Sequence, residues 1–258
     1  MSEPRWQFDG LAFRIALEVM GRDRLPYPLS YRHARVDHRD DYERERARAA
    51  RRVRDVFDER LHRALTVLLE PEVRVEVHGF HGPGADRVVR VHAGIAGQVA
   101  TVAVQQPGPT REHGRDVVLT MCYAHTVATE IAARLPRFAG GGHAPFSARR
   151  SDLDRPIYNR HPNRLAPEEE LARFVRRPRV GTGEISVHPG IAIDARPTDD
   201  GHAFIWLDYP NDGRYVLVNH DADAFSISPA PVDELVGIEA KKYAEANAPW
   251  PVNEECKL

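Results

Sequence analysis

Cysteine is nearly absent: the 258 residues hold only Cys122 and Cys256, far apart in the chain. That pair suggests neither a disulfide framework nor a metal knuckle, and it suits a reducing compartment. No apolar run approaches the ~20 residues that a membrane-spanning helix needs, so no direct membrane insertion is expected. The opening Met1-Ser2-Glu3-Pro4-Arg5-Trp6 lacks the basic start and apolar stretch of a secretory signal, which leaves the cytoplasm as the expected location. An excess of one charge is also missing. The formal net charge is -2, so no global field draws the chain to nucleic acid or anionic lipid. Lysine is confined to Lys241, Lys242 and Lys257; with the abundant alanine, this preference for arginine marks high-GC coding. What remains is an ordinary globular composition, 42% hydrophobic and 29% charged, long enough for one large domain.

Local patterns divide the chain. Asp9 is a cap for a helix with Leu11, Ala12, Ile15, Ala16 and Val19 on one face, and Gly21 stops it. The prolines of Leu25-Pro26-Tyr27-Pro28-Leu29 force an extended segment. A second helical region runs from about Asp40 to Leu69; only its C-terminal half, with Val53, Val56, Phe57, Leu61, Ala64, Leu65 and Leu68, must be packed. Val73, Val75 and Val77 then alternate with Arg74, Glu76 and His78, the pattern of a half-buried strand. Further strands are expected around Val89–Ala93, Gln98–Gln105 and Asp116–Met121, as an antiparallel meander. A helix with Ala124, Val127, Ala128, Ile131 and Leu135 on one face closes at Pro136. Phe138–Asn163 reads as a flexible connection rich in Gly, Pro and Arg.

The second half repeats this order. A helix begins at Pro167 with Glu168-Glu169-Glu170 and ends on Arg173 to Arg177, a charge order that suits the helix dipole. Strands follow at Gly183–His188, Ala203–Tyr209, Arg214–Asn219 and Ala224–Ser228, with Asn211-Asp212-Gly213 as a hairpin turn. A last helix starts at Pro231 and buries Val232, Leu235, Val236 and Tyr243. The element order implies an α/β (α+β type) chain formed by a degenerate duplication. Its half-repeats span about 40–136 and 166–246, with a connection over 137–165 and a tail over 247–258.

Motifs for chemistry are sparse. There is no His-Glu-x-x-His, and on alternating strands His78 and His92 of the thirteen histidines fall at polar positions, as solvated surface groups. Gly140-Gly141-Gly142-His143 and Gly181-Thr182-Gly183 lack the Lys-Ser/Thr ending of a phosphate loop and read as linker and strand entry. No Gly-x-Ser-x-Gly occurs. Asp199-Asp200-Gly201 has turn chemistry rather than the spacing of a calcium loop. The arginines of 44–54 alternate with Glu43, Glu45 and Asp55, as on a solvated helix, without the aromatic side chains that stack on RNA. The loop His81-Gly82-Pro83-Gly84 has Phe80 before it and Arg87 after it, residue types suited to buried interface contacts.

Over nearly its whole length the chain resembles the EspG family of ESX (type VII) secretion chaperones. The likeness rests on Leu25-Pro26-Tyr27-Pro28-Leu29, Leu68-Leu69-Glu70-Pro71, Gly94-Ile95-Ala96-Gly97, the Phe174–Gly183 segment, and Trp206-Leu207-Asp208 before Asp212-Gly213-Arg214-Tyr215. The resemblance implies a central antiparallel sheet flanked by helical bundles, in two pseudo-twofold-related halves. It also implies a cytoplasmic, non-enzymatic protein without a cofactor; the high-GC bias toward arginine and alanine points to an actinobacterial source. The implied partner is a PE–PPE heterodimer, held by the tip of its helical bundle, or a related small helical secreted protein. The partner-binding residues it indicates are Val75, Val77, Phe80, His81, Gly82, Pro83, Gly84, Asp86, Arg87 and Val89, with Val232, Leu235 and Tyr243 of the last helix. A monomer or weak homodimer is expected. The alternative from composition and element order is a small-ligand- or metal-binding α/β enzyme with a pocket between sheet and helices. A scaffold subunit that forms a homo-oligomer is a third reading.

Overall fold

The computed structural model describes residues 3–33, 38–153, 167–192, 198, 200–229 and 240. In the first half these form β1 (Arg5–Phe8), α1 (Gly10–Val19), α2 (Arg39–Val56), α3 (Glu59–Leu69), β2 (Val73–His81), β3 (Arg87–Ala96), β4 (Val99–Pro107), β5 (Gly114–Tyr123) and α4 (Val127–Ala132). The second half supplies β6 (Phe146–Arg149), α5 (Arg150–Leu153), α6 (Pro167–Arg176), β7 (Gly181–Pro189), β8 (His202–Tyr209), β9 (Gly213–Asn219) and β10 (Ala224–Ser228). All ten strands join one antiparallel sheet in the order β1-β5-β4-β3-β2-β7-β8-β9-β10-β6. The two meanders meet where β2 pairs with β7, from Val73↔Pro189 to His81↔Gly181.

Local signals explain the first elements. Asp9 accepts a hydrogen bond from the Ala12 N–H at 2.8 Å, and Gly21, at φ +74, lets the Arg22 N–H return to the Leu17 carbonyl at 2.9 Å. The single helix expected over 40–69 is instead two. Phe57 turns extended and Asp58 caps α3 through the Leu61 N–H at 2.8 Å. The break leaves Val56 exposed, while Leu61, Leu65 and Leu68 pack on the sheet with α1. Each such leucine contributes roughly 1.5–3 kcal/mol.

Three apolar clusters follow from the pleat. Val73, Val75, Val77, Val91, Ile185, Val187, Phe204 and Trp206 form the cluster on the face that α4 covers with Val127, Ala128 and Ile131. On the opposite face α1, α2 and α3 cover Ala103, Val117 and Leu119. The strand registers place Leu207 and Tyr209 on that same face, where Phe174 of α6 and Tyr215 complete the third cluster. At the seam, Gly79 and Gly183 are directly paired, and the Trp206 ring lies across both.

Several expectations change. Arg74, Glu76 and His92 sit at polar positions of β2 and β3, yet they are only 1, 2 and 2% exposed. The reason is that this face is covered, by the helices and by the segment around Tyr27, whose carbonyl meets His92 Nδ1 at 2.7 Å. The helix expected to run to Leu135 is a 3-10 turn at Ala124–Thr126 followed by the six-residue α4. The connection expected to be flexible contributes β6, which pairs with β10 at one edge of the sheet. Within it, Gly140 bridges Arg214 of β9, and a side chain on Gly141 would collide with the Tyr215 ring. The glycine run is therefore a close backbone contact rather than a free linker. The last helix, apart from the buried Ala240, lies outside the described residues, as do residues 154–166 and the tail.

Candidate partner-binding site

β2 and β3 stay in register up to His81↔Arg87, leaving residues 82–86 as the connecting loop. Gly82 has φ +95, a conformation that favours glycine, and its N–H donates to the Val180 carbonyl at 2.8 Å. The Gly84 and Ala85 N–H groups both return to the Gly82 carbonyl at 3.0 Å. Pro83, Gly84, Asp86 and Arg87 are exposed; Phe80, His81 and Gly82 are half-buried. Among the described residues Arg87 has no ion-pair partner.

Phe80 belongs to a ladder of rings. Tyr27 packs edge-on to His78 with centroids 5.8 Å apart, and His78 packs edge-on to Phe80 at 5.2 Å. Arg111, from the β4–β5 loop, completes it: its Cζ stands 5.3 Å from the Phe80 centroid, and its guanidinium donates to the Gly84 carbonyl at 2.5 Å. That second loop is itself fixed. Arg90 donates to the Arg111 carbonyl, Ser30 Oγ donates to the Glu112 carbonyl at 2.9 Å, and Arg32 pairs with the Glu112 carboxylate at 2.6 Å. Burial, and then the charge of Arg90, hold the His78 imidazole below its ordinary pKa; burial and Arg87 do the same for His81. The ladder is thus neutral at pH 7, and the positive charge at this end comes from the arginines.

The structure brings together Phe80, His81, Gly82, Pro83, Gly84, Asp86 and Arg87, but it corrects the valines. Val75 and Val77 are fully enclosed and Val89 is buried in the same cluster, because odd-numbered side chains of these strands face the core. They support the hairpin and offer no side-chain surface. Val232, Leu235 and Tyr243 lie outside the described residues. The sequence reading missed Arg111, which sits 24 positions beyond Arg87 in a loop with no motif; the usable signal was two long adjacent hairpins, whose tips must lie side by side.

A second polar group lies at the seam. Arg74 donates to Glu76 at 3.1 Å, to the Pro189 and Gly190 carbonyls at 3.0 Å each, and to Thr198. His188 Nδ1 lies 3.0 Å from Asp200. Burial raises the Glu76 pKa, lowers that of His188, and pushes His92 down to about 4. Beside this network a cleft of about 140 Å³ is bounded by Arg22, Arg24, Pro26, Leu68, Arg74 and Ile191, among others. It is smaller than a usual small-molecule site. Arg74 uses its donors on the groups just named, and His92 is already bonded to the Tyr27 backbone. Among the described residues no three His, Cys, Asp or Glu side chains gather as a metal-binding set, and no helix is long and apolar enough to cross a membrane.

The hairpin end therefore offers an aromatic ring, a rigid loop and two guanidinium groups, which are contacts suited to another protein. The sequence model of the EspG family matches residues 9–238. No curated protein matches the chain.

Proposed function

The chain belongs to the EspG family of ESX secretion-associated chaperones, and we propose that it works in the cytoplasm by capturing the helical tip of a PE–PPE heterodimer or a related small helical secreted protein. The observation that carries this reading is the fixed tip formed by Phe80, the 82–86 loop and Arg111. An exposed, preorganised tip binds without a large ordering cost. It would shield an apolar helical surface that otherwise aggregates. Phe80, His81, Gly82, Pro83, Gly84, Asp86 and Arg87 form the proposed contact, with Val75, Val77 and Val89 as its support; Val232, Leu235 and Tyr243 extend it on the C-terminal segment. Capture is an equilibrium process that requires no catalytic group, and a monomer or weak homodimer suffices.

The mirrored strand order supports the proposed duplication. Read outward from the seam, β2-β3-β4-β5-β1 corresponds to β7-β8-β9-β10-β6. Each half then opens on its own edge strand, β1 or β6, before its helices. The pseudo-twofold halves and the flanking helical bundles belong to this proposal.

Co-expression with the PE/PPE-like or small helical reading frames beside its gene tests the function. A soluble equimolar complex on size exclusion is the expected result. A folded chain that binds none of these candidates overturns the chaperone reading.

A further inference from the structure

The geometry points to Arg111 as a specificity-determining residue that reads a carboxylate on the partner, adjacent to the apolar side chain that meets Phe80. This deepens the proposed function and rests on it. The guanidinium is held in two ways: it stacks on the Phe80 ring at 5.3 Å, and one of its N–H groups is taken by the Gly84 carbonyl at 2.5 Å. It is exposed, and among the described residues no carboxylate pairs with it; the nearby Glu112 is engaged by Arg32. The remaining donors of its planar fork therefore project from an already ordered position, the arrangement suited to bidentate recognition of a carboxylate. The backbone beneath it is held by Arg90 and, through Glu112, by Ser30. Arg87, also without an ion-pair partner, adds like charge at the same end. The carboxylate of Asp86 stands next to Gly82 and is not bonded to either arginine. A ring flanked by fixed positive charge selects an apolar residue with an acidic neighbour, and discriminates against tips that carry lysine or arginine there.

The test uses the full chain and the PE–PPE-type partner identified by co-expression. Arg111→Glu should weaken binding at least tenfold, and Arg111→Lys should recover only part of the loss because a point charge replaces the stacked fork. Changing one acidic residue of the partner tip to arginine should weaken wild-type binding and restore binding to Arg111→Glu. Hydrogen exchange of residues 82–86 separates reading from support, since a purely supporting role loosens the loop and is not rescued by the charge swap. Binding of Arg111→Glu within twofold of wild type overturns the inference and leaves the chaperone reading intact. So does a loss that no acidic-to-arginine change in the tip repairs. Failure of the wild-type chain to bind any partner overturns both.

Discussion

Replacing Gly183 by alanine should destabilise the protein through two identifiable contacts, the Trp206 ring and the Gly79 backbone. A methyl group there would lie 2.6 Å from the Gly79 Cα, and closer still to the Trp206 Cη2 and Cζ2 atoms, where 3.4 Å is ordinary contact. The neighbours would have to give by roughly 1 Å, and Trp206, 1% exposed in a packed core, has little room to give. Overpacking of this kind costs about 1–3 kcal/mol, offset in part by the ~0.4–1 kcal/mol that Gly→Ala gains from the unfolded chain. A net loss of about 1 kcal/mol should lower the melting temperature by roughly 2–4 °C. Trp206→Leu alone should cost about 3 kcal/mol by opening a cavity. In that background, however, Gly183→Ala should cost clearly less, because the ring it strikes is gone and only the close approach to the Gly79 Cα remains. Urea unfolding of the four proteins, followed by far-UV circular dichroism, gives the coupling directly, at about 1 kcal/mol. An equal cost for Gly183→Ala in both backgrounds would refute the argument.

Other outcomes follow from the same structure. His92 titrates near 4 when folded, against 6.5 ordinarily; its contribution is complete above pH 6.5 and is lost as pH falls from there towards 4. The loss amounts to about 3 kcal/mol, so wild type should lose stability over that window more steeply than His92→Asn, and parallel pH profiles would contradict it. Asp208 is fully buried and accepts two bonds from Arg214, at 2.6 and 2.8 Å. Asp208→Ala should therefore cost about 3–5 kcal/mol in thermal or urea unfolding, since it strands a buried guanidinium, whereas replacing both partners by apolar residues should cost much less. A single-variant loss below 1 kcal/mol would count against this. Phe80→Ala and Arg87→Ala should each weaken partner binding by titration calorimetry while leaving the melting temperature within a few degrees of wild type. Unchanged affinity in both would move the contact elsewhere.

The parts of the fold that depend on near neighbours were legible from the residues. Period-two runs at Val73–Val77 and Ala224–Ser228 gave their strands, Asp9 and Gly21 bounded α1, and Asn211-Asp212-Gly213 marked its hairpin, where Asn211 has φ 63. The Asp58 cap was equally local but lay hidden inside a longer helical pattern. The four-residue β1 and β6 are too short for a period to register, and each exists because a longer strand offers it an edge.

The sequence by itself determined where the longer strands run, where most turns fall and that the strands alternate, since each of these depends on residues a few positions apart. Only the tertiary structure decided which side of an alternating strand is wet. Arg74, Glu76 and His92 are buried because partners more than 60 positions away in some cases, such as Tyr27 for His92 and Pro189 for Arg74, satisfy their polar groups. It likewise decided which residues meet at the proposed binding end. Phe80 and its loop were visible as residue types, but Arg111 reaches them only when two adjacent hairpins align their tips, and sequence separation carries no record of that distance.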